Sequence, residues 1–183
     1  MNQTDRIRQN LENIISEQLL SGNLSEKLAV LDDQTKRIEG LIGRKAIPLP
    51  LGWEKEFQTD INCHAYALGL WQLEQFRVLI KKPFMKKKTR KNIIGARFMN
   101  MLIAKNILML RDRVEGCIVV YSTSDGEIKH SGILREIDLV ESKWGDLPVF
   151  RHYVHHVPES YGNIIHYYES NISPENMLLT LYD

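Results

Sequence analysis

One of the chain's two cysteines, Cys63, stands in the stretch INCHAYALGLW, directly ahead of a run of small and apolar residues. A thiol at a helix start becomes a nucleophile because unpaired N–H groups and the helix dipole favour the thiolate. Such a nucleophile needs a base held rigidly against it, and His130, in the segment IKHSGIL, is the candidate. A third group must accept from the other ring nitrogen and fix the tautomer. Glu141, Ser142 and Lys143 follow in chain order, and Glu141 is the best acceptor for a protonated imidazole. Ser142 takes its place if strand register differs by one residue, because such a slip reverses faces. His64 is expected to point away from Cys63, since adjacent helical residues do not face each other. This chemistry, acyl transfer at a carbonyl, also needs donors for the developing oxyanion. The Cys63 backbone N–H supplies one, and Asn62 or Gln58 offers a side-chain amide, although Asn62 reads first as a helix cap.

The elements that must position these groups are legible as pattern. Residues 4–21 place Ile7, Leu11, Ile14, Ile15 and Leu19 at helical spacing, with Thr4 or Asp5 as caps and Gly22 as a stop. Leu24, Leu28, Leu31, Ile38 and Leu41 mark a second helix, capped by Ser25 and ended by Gly40 or Gly43. Residues 1–45 thus form a helical extension of residues 46–183. Pro48, Pro50 and Gly52 make an extended connection to the cysteine. Residues 64–80 read as one helix, and 92–113 as a second, buried one. From residue 114 the texture becomes β-branched and aromatic. Strands are expected at 117–121, 128–134, 138–144 and from Asn163, with hairpin turns at SDGE and Gly145–Pro148. Helices first and strands later give an α+β fold.

Composition excludes several classes. Of 183 residues 43% are hydrophobic and 26% charged, which is ordinary globular usage and argues against disorder or a disulfide scaffold. A formal net charge of +1 demands neither nucleic acid nor an anionic membrane. No apolar run reaches membrane-spanning length, and the start MNQTDRIRQN is no signal peptide, so a cytoplasmic location and two free thiols are expected. The basic run Lys81 to Lys91 is the one local patch suited to an acidic partner or nucleic acid. His152, His155, His156 and His166 match no zinc spacing, and no cofactor is expected. Trp144, Tyr161 and Gly162 read as packing and turn residues.

The series NCHAYAL, GCIVVY, KHSGIL and ESKWG resembles the papain-like cysteine hydrolases of the NlpC/P60 and CHAP type over Trp53 to Tyr168. SKWG, a later histidine and VPESYG are similar to a further group of papain-like domains. The resemblance implies a nucleophile helix packed on an antiparallel sheet, with Cys63 as nucleophile, His130 as base and a third residue from VESKW. Lys143 stands where CHAP sequences often have asparagine, and Cys117 where these hydrolases commonly have aspartate. The expected function is a thiol-dependent hydrolase or acyl transferase of peptidase or amidase type, acting on a peptide or amide. The alternative is a non-catalytic papain-like module whose basic 81–91 stretch binds an acidic partner.

Overall fold

The computed structural model describes residues 2–17, 24–49, 60–81 and 94–181. Among them, helices α1 (Gln3–Ser16) and α2 (Leu24–Ile42) form the N-terminal hairpin. Asn2, rather than Thr4 or Asp5, caps α1: its side chain accepts from the Asp5 N–H while Asp5 bonds back to the Asn2 N–H. Helix α2 runs through Gly40 and stops at Gly43, whose φ of +67° ends the helical path. Ser25 lies inside α2.

The segment after Cys63 is three pieces and not one helix. Helix α3 (Cys63–Ala67) ends at Gly69, φ +71°; a 3₁₀ turn (Leu70–Gln72) follows, then α4 (Glu74–Ile80). Likewise, the expected helix over 92–113 is shorter: α5 (Ala96–Ala104) gives way to strand β1 (Leu108–Leu110). Asn106, at φ +54°, makes the reversal between them.

Strands β2 (Ile118–Ser122), β3 (Ile128–Glu136), β4 (Leu139–Lys143), β5 (Val149–Tyr153) and β6 (Ile164–Ser170) complete an antiparallel sheet in the order β1-β6-β2-β3-β4-β5. The hairpin turns fall at 124–127 and 145–148 as the pattern predicts. Strand β5 and the closing helix α6 (Pro174–Leu179) carried no sequence expectation. The molecule is α+β among its described residues.

Alternation along the strands sends side chains to two faces. Ile118, Val120, Ile128, Val149 and Tyr168 pack beneath α3 to α6. Val119, Tyr121, Leu134, Val140 and Phe150 pack on the other face against Leu11, Ile14, Ile38 and Ile42 of the hairpin. The hairpin therefore shares a core with the sheet as a third layer. None of the helices described is long and apolar enough to cross a membrane.

Candidate functional site

Asn62 is extended (φ −95°, ψ 176°), and its Oδ1 accepts from the Ala65 N–H at 2.9 Å, which starts α3 at Cys63. Its Nδ2 donates to the Ile94 carbonyl at 2.7 Å. Both ends of the amide are thus engaged in placing the helix start. Gln58 lies outside the described residues, as do residues 82–91 of the basic run, of which Lys81 alone is described.

The helix start abuts β3 at residues 130 and 131. Cys63 is partly exposed, whereas Cys117 is buried with its thiol directed at the Asp112 carbonyl. Burial would push the Cys63 thiol up, but the neighbouring His64 and His130 rings outweigh it by charge and proton sharing, and hold the thiol well below its ordinary value. His130 is buried, and its Nε2 has no hydrogen-bond partner among the described residues. An imidazole that interacts with an acidified thiol is the natural acceptor of its proton.

His64 corrects the sequence expectation. It does not point away: it is buried, with Nδ1 2.8 Å from Ser131 Oγ, and lies beside Cys63. The rule that neighbours on a helix diverge describes a helix side, whereas Cys63 and His64 are the first two residues of a helix that packs against β3.

Glu141 is placed differently from the expectation too. Ile133 faces Glu141 across β3 and β4, so Glu141 lies on the Ser131 and Ile133 side of the sheet. His130 pairs with Tyr121 and points to the opposite side, with Leu134. The carboxylate is instead clamped by Arg135 (Nε at 2.8 Å) and by Arg151 (Nε at 3.2 Å), and accepts from the Tyr66 hydroxyl at 3.3 Å. Burial pushes it up, yet the two guanidinium groups outweigh that and hold it below its usual value. Tyr66, on α3, is pushed up to about 12 by burial and by Glu141, so it stays a neutral donor. Glu141 therefore ties the thiol helix to the sheet.

The other two candidates for the third member are engaged as well. Lys143 Nζ donates to the carbonyls of Gly145 and Leu147, closing the β4–β5 turn. Ser142 Oγ receives the Trp144 Nε1–H at 2.8 Å and lies 2.8 Å from His152 Nε2. His152 Nδ1 is 2.8 Å from the Tyr153 carbonyl, which can only accept, so Nδ1 carries the proton and Ser142 donates to Nε2. Burial pushes His152 down to about 3, keeping it neutral.

Aromatic rings hold His130. Tyr161 stacks on it with centroids 4.1 Å apart and 24° between planes, and Tyr121 lies at 5.6 Å. Trp144 meets Tyr161 edge-on at 5.8 Å. A ring face against an imidazole restrains its rotation. Tyr161 was read from sequence as a packing residue; the stretch VPESYG was visible, but nothing local says which ring it would meet. No three His, Cys, Asp or Glu among the described residues are grouped so as to hold a metal ion.

Fold and site together define an α+β protein in which a partly exposed cysteine interacts with two imidazoles, mounted where a short helix meets an antiparallel sheet. The chain belongs to the family described as Domain of unknown function (DUF7689), whose model matches residues 53–169. That span takes in α3 and all but the last residue of β6 and leaves the hairpin outside. Comparison with curated proteins and with solved structures found no match.

Proposed function

We propose that the protein is a thiol-dependent hydrolase or acyl transferase of papain-like type, with Cys63 as nucleophile and His130 as base. One observation carries this reading: the Cys63 thiol is held well below its ordinary value beside a buried His130 whose Nε2 has no hydrogen-bond partner among the described residues. Cys63 is partly exposed, in contrast to the buried Cys117.

In the reaction, the thiol proton passes to the His130 imidazole and the thiolate sulfur bonds to the carbonyl carbon of an ester or amide. The Cys63 backbone N–H donates to the resulting oxyanion. As the tetrahedral intermediate collapses, the bond to the leaving oxygen or nitrogen breaks and the His130 imidazolium protonates it. Water or an acceptor nucleophile then gives its proton to His130 and attacks the thioester, and the tetrahedral intermediate collapses by breaking the C–S bond. The returning thiolate takes back the proton. Tyr161 and Tyr121 take the orienting place that a carboxylate fills in a triad.

The decisive measurement is the rate of Cys63 alkylation by iodoacetamide as a function of pH, with the modified residue assigned by mass spectrometry and buried Cys117 as internal control. A depressed thiol pKa keeps the thiolate populated as pH falls, so the half-maximal rate is expected clearly below the ordinary thiol value of about 8.5. His130→Ala is expected to move it up, and Cys63→Ala to abolish both labelling and acyl-enzyme formation from thioester probes. A Cys63 profile that superimposes on that of a free thiol overturns the proposal.

A further inference from the structure

The hairpin lies outside the residues matched by the family model, yet it reaches the ring stacked on His130. On α1, Arg8 Nη2 donates to the Gly162 carbonyl at 2.8 Å and to the Pro158 carbonyl at 3.5 Å. One guanidinium thus joins both ends of the 158–162 turn. One helical turn further on, Glu12 Oε2 accepts from the Ser160 N–H at 2.9 Å. Inside the turn, the N–H groups of Tyr161 and Gly162 bond to the carbonyls of Pro158 and Glu159, both at 3.1 Å.

The far side of the turn is pinned to β2. The Asn163 N–H donates to the Ser122 carbonyl at 3.1 Å, and a Cβ on Gly162 would stand 2.5 Å from that oxygen. Gly162 also has φ +97°, which an L side chain rarely adopts. The turn is therefore held between α1 and the strand beside the one that carries His130, and Tyr161 is the side chain it presents to that ring.

We infer that the N-terminal hairpin is a working part of the site: Arg8 and Glu12 are positioning residues that fix the 158–162 turn, so that Tyr161 stays stacked on His130 and the base stays beside Cys63. The inference rests on the reading of Cys63 and His130 given above. It assigns to α1 a task beyond covering apolar surface, because Arg8 and Glu12 hold the backbone of the turn by polar contacts, in addition to the apolar packing of Tyr161 against the cluster that contains Leu11 and Ile14.

The experiment compares the full-length wild type with Arg8→Ala/Glu12→Ala, Tyr161→Leu and Tyr161→Phe, each first shown to be folded by circular dichroism at the working temperature. Two readouts are taken: the pH profile of Cys63 alkylation, and the His130 Hδ2 and Hε1 resonances, which the Tyr161 ring current displaces. Tyr161→Leu is expected to raise the pH of half-maximal alkylation by about one unit, which slows alkylation about tenfold on the acid side of that midpoint, and the double variant by somewhat less. Both are expected to move the His130 resonances toward their free positions. Tyr161→Phe keeps the ring and should keep wild-type behaviour in both readouts. Leu11→Ala, which weakens hairpin packing without touching the polar contacts, is the control for a merely structural effect and should leave both readouts in place.

His130 resonances that stay put in the double variant overturn the inference, as does a Leu11→Ala shift equal to that of the double variant. A wild-type alkylation profile like that of a free thiol overturns instead the hydrolase reading, while the resonances still decide the positioning claim.

Discussion

Glu141 shows how much one side chain's role depends on its neighbours across strands. It pairs directly with Arg151 on β5, and Arg135 stands on the same face two residues along from its partner Ile133. A carboxylate on such a strand reads equally well as the orienting member of a triad, and only the register assigns it to the arginines. Glu141→Gln is therefore expected to lower stability by about 1 kcal/mol, discounted for the half-exposed arginines. Because Glu141 does not contact His130, the pH profile of Cys63 alkylation should be unchanged. A profile displaced as far as that of His130→Ala would return Glu141 to the catalytic machinery. His64 makes the complementary point, since its place beside the thiol comes from how α3 meets β3, which helical spacing does not encode.

At the scale of elements, the apolar periodicity of 64–80 was real but its continuity was not. Leu68 and Leu70 both enter the core although Gly69 interrupts the helix between them, because the segment bends over the sheet and buries apolar groups from each piece. Strand β5 escaped the sequence reading because VFRHY mixes apolar, cationic and imidazole groups on a strand that serves both faces. The β3–β4 contact depends on a single small residue. A Cβ on Gly132 would stand 2.6 Å from Val140 Cγ1, 2.7 Å from the Glu141 carbonyl oxygen and 2.9 Å from Ser142 Cβ. Gly132→Ala is thus expected to push the strands apart and cost about 1–3 kcal/mol, read as a lower denaturant midpoint. An unchanged midpoint would mean that the strands have slack at this crossing.

For the whole molecule, the consequential feature is the three-layer stack, in which the sheet is covered by α3 to α6 on one face and by the hairpin on the other. Leu11 is fully buried against that second face. Leu11→Ala should lower stability by about 2–5 kcal/mol. The loss should appear in one transition, with helix and sheet signals moving together. A separate early melting of the hairpin, with the sheet signal intact, would show that the two are energetically independent.

The α+β class, the N-terminal pair of helices, the hairpin turns and the placing of a cysteine at a helix start next to a capping asparagine were all determined locally. Periodicity, turn chemistry and capping act over a few residues, so they are written in the sequence. Tertiary structure alone decided that His64 stands beside Cys63, that Glu141 belongs to two arginines, and that Tyr161 reaches His130 under the hold of Arg8. Each of these joins residues on different elements. Such pairings are set by strand register and by the angle at which a helix meets a sheet, and no spacing along one chain segment records either.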